Sequence, residues 1–267
     1  MKAVITESGR LPYRQSDFRT VDDYLRQWLP DMGLVCKDGF GMGLITGERG
    51  AGKSLFGYTV AWWVRRLFGV RITLDHAPRP EFGDFTKFNL PWDLLWERKW
   101  MDDIAKRGDE WEGEELKKLK LLKSFVFWDE FYQVAHKRNT MGIMTREFED
   151  IVKQLRHLDS FFLMAMPQKK EVDTTGIDDY VTVDIGASWS LYRPDTANYI
   201  VYNRQTMVES PFTIYGPNYY PLYRSKNPIH ARKWISPDEY KKWMKTMYGA
   251  DWKEEQNAIP IYQQETE

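Results

Sequence analysis

Residues 47 to 54 read Gly-Glu-Arg-Gly-Ala-Gly-Lys-Ser, and this octet limits the fold more than any other stretch of the chain. It follows a glycine-punctuated run, Gly39 to Thr46, whose Met42, Leu44 and Ile45 suit a buried strand. It leads into Lys53 to Phe68, an apolar segment without proline that reads as a helix starting inside the loop. Strand, loop and helix in that order force the backbone to curl tightly, which Gly47 and Gly52 permit because they carry no Cβ. The loop N–H groups then face inward beside the positive end of the helix dipole, where phosphate oxygens can be held. The spacing G-x-x-x-x-G-K-[ST] is met without a departure. Lys53 is thereby placed to bridge β- and γ-phosphates, and Ser54 to set its hydroxyl on Mg²⁺. The expected nucleotide-binding residues are Gly47, Glu48, Arg49, Gly50, Ala51, Gly52, Lys53, Ser54 and Leu55, and the expected ligands are ATP and Mg²⁺.

The rest of the chain keeps alternating between helical and strand-like patterns. Val21 to Leu29 carries Tyr24, Leu25 and Trp28 at helical spacing and reads as a short lead-in helix. Val70 to Leu74 reads as a second strand, and Pro78, Pro80 and Pro91 mark an irregular crossing that ends where Pro91 starts a Trp-rich helix. Asp102 to Lys123 is strongly charged, with Glu114 and Lys118 four apart as on a solvated helix face. Phe125 to Trp128 reads as a central strand, Arg146 to His157 as a helix, and Phe161 to Met166 as another buried strand. Tyr180 to Ile185 and Tyr199 to Tyr202 are two further strand candidates. Together these segments predict an α/β fold with a mostly parallel central sheet flanked by helices. From Pro211 onward, Tyr, Pro and Lys dominate, and the tail holds one expected helix, Pro237 to Met247. The expected division is an N-terminal lead-in (1–35), a core (36–210) and a C-terminal extension (211–267), since 267 residues suffice for one core with appended elements.

A phosphate loop needs a carboxylate for its metal and a group that activates water. Asp129-Glu130, directly after the strand Phe125 to Trp128, supplies both: Asp129 to hold Mg²⁺ through its water shell and Glu130 to polarise the attacking water. An acidic pair at a strand end is otherwise an ordinary solvated terminus, and it is the octet upstream that gives this pair its reading. Gln168 follows FFLMAMP at the carboxyl edge of the next strand, where ligands bind in open α/β sheets, and is a candidate sensor of the γ-phosphate. Charge developing on the transferred phosphoryl group calls for a cation with a planar fork. Arg138, Arg146 and Arg156 are the candidates, each of them a plain surface arginine unless a neighbouring subunit's nucleotide lies against it.

Composition bounds the remaining classes. The four histidines show no metal-ligand spacing, and no Ser-His-Asp or Cys-His arrangement stands out. The single cysteine, Cys36, excludes an intrachain disulfide framework and fits a reducing compartment. Met1 is followed by Lys2, Glu7 and Arg10, and nowhere do 18 uncharged apolar residues run together, so no signal peptide and no membrane span are expected. A formal net charge of −1 gives no global attraction to nucleic acid. Affinity for DNA would need a local basic surface, and Arg224, Lys226, Arg232, Lys233, Lys241, Lys242 and Lys245 against Asp238 and Glu239 offer one. The same residues also read as ordinary solvated lysines and arginines of a terminal helix.

With these residues in hand, the chain resembles the FtsK–HerA branch of P-loop ATPases, which includes viral genome-packaging ATPases and the Zot-like morphogenesis proteins of filamentous phages. The resemblance covers Met42 to Asp184 and rests on GERGAGKS, on the strand ending in Asp129-Glu130, and on LRHLDSFFLMAMPQ, where an Arg-His pair leads into a strand ending at Gln168. Tyr219-Tyr220-Pro221-Leu222-Tyr223 is similar to the aromatic end of some viral packaging ATPases. The charged segment Asp102 to Lys123 and the Trp before Asp129 depart from the family pattern. The resemblance implies a RecA-like P-loop NTPase fold and an ATPase whose catalytic residues are Lys53, Glu130, Gln168 and Arg156, with Ser54 and Asp129 on the metal. It also implies a homo-oligomeric ring, a hexamer by preference, that moves double-stranded DNA through a central channel. A capsid or portal-vertex protein would be a further partner, in the host cytoplasm or on the virion.

Two other readings are kept. A Zot-like virion assembly or secretion ATPase commonly adds a membrane span, and a nucleotide-dependent switch with little turnover can dispense with Glu130. A terminase large subunit would need a nuclease domain, for which roughly 80 residues after Ile185 leave little room.

Overall fold

The expected alternation of helix and strand is present as one eight-stranded sheet. A computed structural model describes residues 9–35, 40–89, 92–107, 118–129, 158–166, 178–190 and 195–223, then 237–250, together with 131, 150, 152 and 193. The strands are β1 (Gly41–Thr46), β2 (Arg71–Leu74), β3 (Thr86–Lys87), β4 (Ser124–Trp128), β5 (Phe161–Met166), β6 (Val183–Trp189), β7 (Thr196–Asn203) and β8 (Val208–Tyr215). Their order across the sheet is β3-β2-β4-β5-β1-β6-β7-β8. All pairings from β3 through β6 are parallel, and the two beyond, β6 with β7 and β7 with β8, are antiparallel. The α/β architecture is as expected, with a mostly parallel centre and an antiparallel flank.

The centre is built by apolar runs too short for helices. Every residue of β4 and β5 is buried, the mark of strands covered on both faces. β1 lies between β5 and β6, and Gly43 lets it do so, since a Cβ there would stand 2.9 Å from a Leu163 methyl. Against one face packs α2 (Lys53–Phe68), which has the bounds expected from the sequence and ends at Gly69 in the left-handed region (φ 68°). Gly57 on α2 leaves space that the Phe127 ring fills; a methyl group at that position would overlap it. α3 (Trp92–Arg107) is the expected Trp-rich helix, and Pro91 lies outside the described residues. Its buried Glu97 accepts backbone N–H groups from Lys120 (2.6 Å) and Leu121 (3.4 Å), fixing the turn that enters β4. In the charged segment, Lys118 places its ammonium 5.6 Å from the centre of the Trp100 ring, while Glu114 lies outside the described residues.

The flank is where sequence reading and structure part. The sequence reading assigns Pro211 onward, rich in Tyr, Pro and Lys, to a tail, yet β8 runs through that point to Tyr215. The N–H of Glu209 points away from β7, donating to the Gly9 carbonyl (3.2 Å). By the two-residue period Pro211 turns the same way, so its missing N–H falls on the outer edge and costs no ladder bond. The lead-in helix α1 (Val21–Asp31) is held to this flank. Thr20 caps it by accepting from the Asp23 N–H (3.1 Å). Trp28 stacks on Phe212 of β8 (4.4 Å) and donates its indole N–H to Ser210 (2.9 Å). The junction drawn from the sequence at 210/211 thus falls inside β8.

The chain separates into two compact units, Met1–Arg232 and Lys233–Glu267. The second contains α4 (Pro237–Tyr248), on which Lys242 and Lys245 are exposed and Lys241 half-buried. Arg224, Lys226, Arg232 and Lys233 of the expected basic surface, like Cys36 and most of the expected helix Arg146 to His157, lie outside the described residues. Among the described residues no helix is long and apolar enough to cross a membrane.

Candidate functional site

The octet lies where the sequence puts it, between the carboxyl end of β1 and the first turn of α2. Gly50 and Gly52 adopt left-handed backbone (φ 82° and 89°), and the glycine requirement at Gly47 and Gly52 has a specific cause. A Cβ on Gly47 would stand 2.5 Å from the Ala187 carbonyl oxygen. One on Gly52 would stand 2.9 Å from both Ala197 Cβ and the Tyr199 hydroxyl. The β6–β7 pair therefore presses directly on the loop. It also bonds to it: Tyr199 donates its hydroxyl to the Gly52 carbonyl (2.8 Å) and Trp189 donates its indole N–H to the Gly50 carbonyl. Burial, reinforced by the neighbouring Tyr223 and Tyr220, holds the Tyr199 phenol far above its ordinary pKa, so it stays a donor.

Glu48, Arg49 and Gly50 are exposed at the loop tip, while Ala51 and Leu55 are buried beneath it and Ser54 is half-buried. The Lys53 ammonium folds back over the loop, donating to the carbonyls of Gly47 (2.9 Å) and Glu48 (2.7 Å). Those contacts hold the lysine within the curl of the loop, beside the amides that would face a phosphate group.

Asp129 follows β4 directly, and its backbone N–H donates to Asp75 Oδ1 (3.2 Å). Asp75 comes one residue after β2, its side chain only 1% exposed, with His76 Nδ1 3.2 Å from the same oxygen. Only β5 separates β4 from β1, so the acidic tip and the loop leave the same carboxyl edge two strand spacings apart, about 10 Å. The Ser54 hydroxyl and Asp129 carboxylate are hard oxygen donors of the kind Mg²⁺ takes, and a separation of this order leaves room for its water shell and for phosphate oxygens.

Of the other expected site residues, Glu130, Gln168, Arg156, Arg138 and Arg146 all lie outside the described residues. The strands that precede Glu130 and Gln168, β4 and β5, both end at this edge. Sequence reasoning missed Asp75, Trp189 and Tyr199. The rule that ligands collect at carboxyl ends of parallel strands points to Asp75, which directly follows the expected strand Val70 to Leu74. Nothing local marks Trp189 or Tyr199, since their contacts reach 139 and 147 residues along the chain.

No protein-family model and no curated protein matches this sequence. Among solved structures, the chain is similar to the N-terminal domain of zonular occludens toxin from Neisseria meningitidis, with 15% identity and a TM-score of 0.45 over 70% of this chain and 100% of that one. It is similar to B204, the DNA-packaging ATPase of Sulfolobus turreted icosahedral virus, at 11% identity and a TM-score of 0.45 over 66% of this chain and 98% of that one. EssC (ATPases 2 and 3) from Geobacillus thermodenitrificans is matched at 15% identity and a TM-score of 0.44, over 80% of this chain and 45% of that one. At these identities and scores the likenesses stand beside the geometry and carry none of its weight.

Proposed function

We propose that the chain is an ATP-hydrolysing motor that translocates double-stranded DNA, of the kind that packages viral genomes. The observation that carries the nucleotide part is the octet itself, curled between a doubly buried strand and the first turn of a 16-residue helix, on the same sheet edge as Asp129. A triphosphate entering the loop would meet amides oriented by the helix start. Lys53 would exchange the Gly47 and Glu48 carbonyls for β- and γ-phosphate oxygens. Ser54 and Asp129 would hold Mg²⁺, whose charge offsets that of the phosphates. Asp75, by accepting the Asp129 amide, fixes the direction in which that carboxylate leaves the strand.

In this reading Glu130 orients the attacking water, Gln168 senses the γ-phosphate, and Arg156 serves a neighbouring subunit's nucleotide in a ring, a hexamer by preference. DNA as the cargo, and a capsid or portal vertex as the docking partner in the host cytoplasm, rest on the motif resemblance. A Zot-like assembly ATPase and a low-turnover switch are the competing readings.

The test is the ATP hydrolysis rate with and without double-stranded DNA, beside the native mass of the assembly. Wild type should hydrolyse ATP faster with DNA and run as a closed oligomer, and Lys53→Ala should lower the rate by about 10²–10³-fold. Undiminished hydrolysis in Lys53→Ala would remove the loop from the mechanism. Hydrolysis indifferent to DNA would leave an ATPase and withdraw the DNA motor.

A further inference from the structure

Trp189 is exposed, yet it is fixed in place. It ends β6, three residues beyond Gly186, which is level with Thr46, the last residue of β1. That offset sets the indole beside the phosphate loop, where its N–H donates to the Gly50 carbonyl. In a loop whose amides turn inward to phosphate, a carbonyl that bonds to the flank faces outward. The indole therefore stands next to the phosphate cradle without filling it. Trp189 is 39% exposed, and no aromatic ring among the described residues stacks on it. Space is open at the loop tip, since a Cβ on Gly50 would meet nothing within 4 Å.

An aromatic plane tied to the outer side of a phosphate loop, with solvent along it, suits one part of a nucleotide. A planar base stacks on it while the triphosphate reaches the amides. We propose that Trp189 is the base platform of the site, so that the loop takes a nucleoside triphosphate in preference to a bare polyphosphate. This rests on the phosphate-loop reading and adds the base to it. Stacking selects a planar base without choosing among bases, because every base has a π-face. The hydrogen bond to Gly50 holds the ring in place in advance, so little side-chain entropy remains to be lost on binding.

The experiment compares ATP with inorganic tripolyphosphate, both with Mg²⁺, by isothermal titration calorimetry on wild type, Trp189→Leu and Trp189→Phe, with circular dichroism to confirm the fold. Trp189→Leu removes the aromatic face and should weaken ATP about tenfold while leaving tripolyphosphate within about twofold. Trp189→Phe keeps a face but loses the N–H, and should retain ATP within about threefold. Equal weakening of both ligands in Trp189→Leu would make the ring a mere brace for the loop and overturn the platform. Unchanged ATP affinity in Trp189→Leu would overturn it too. Wild type that binds tripolyphosphate as tightly as ATP refutes the platform alone, whereas wild type that binds neither refutes the phosphate loop and the platform with it.

Discussion

β4 and β5 are buried at every position, whereas β7 and β8 bury one face and leave Ile200 53% exposed on the other. The two regions share a sheet but do different jobs. The parallel centre delivers strand ends to a single edge, and the acidic tip and the loop 47–54 both sit there. The antiparallel flank delivers no strand end of its own to the acidic tip. With Ala187 and Trp189 of the adjoining β6, it presses Ala197 and Tyr199 against the loop from the side, and β6 and β7 tie the loop by two hydrogen bonds. The centre thus sets where the chemical groups stand, and the flank packs against the side of the loop that carries half of them.

If this division holds, substitutions in the centre should cost far more than those on the flank's open face. The largest effect is expected at Phe127, fully buried, packed into the gap left by Gly57 and edge-on to Tyr58 at 5.1 Å. Phe127→Ala should lower unfolding stability by about 3–5 kcal/mol in urea titrations, the usual cost of emptying an aromatic site in a close-packed core. A loss under about 1 kcal/mol would mean that the centre collapses freely around the void and is not the rigid frame described.

A smaller effect, with a pH signature, is expected at Glu97. Burial pushes its carboxyl up to about 7, and the N–H groups of Lys120 and Leu121 offset only part of that shift. Below the ordinary carboxylate pKa the group is neutral in both folded and unfolded chains and contributes no pH dependence. From there to about 7 the folded chain keeps a proton that the unfolded chain releases, so stability falls as pH rises through this window. The stability of wild type relative to Glu97→Gln should therefore drop by about 2 kcal/mol between roughly pH 5 and pH 7.5. Parallel pH curves for the two proteins would show that the clamp on the turn before β4 is not a buried carboxyl.

The same division explains what was legible in the sequence. α2 and β5 have the bounds read from it, because an uninterrupted apolar run gives its own length and its neighbours merely cover it. β8 was not legible because Pro211 forbids a central strand but not an outer edge, and which edge a residue faces is decided by pairing far along the chain. The positions of the glycine-rich loop 47–54, between a strand and a helix, and of Asp129, at a strand end, could be read as local patterns. The hold of Trp189 and Tyr199 on the loop could not, since it depends on β6 lying beside β1, a neighbourhood that no local spacing encodes.

The smallest expected effect is the sharpest check on the flank. Ile200, Met207 and Tyr215 are exposed, and Pro211 and Thr213 share the open face with Ile200. Ile200→Thr keeps the β-branch, so strand preference is preserved, and it removes little contact because the side chain already faces water. Stability should change by no more than about 0.5 kcal/mol. A cost above about 1 kcal/mol that grows with protein concentration would mean that a second copy covers this face in solution. The exposed half of β7 would then belong to a subunit contact, and the contrast between a doubly covered centre and a singly covered flank would hold only for the isolated chain.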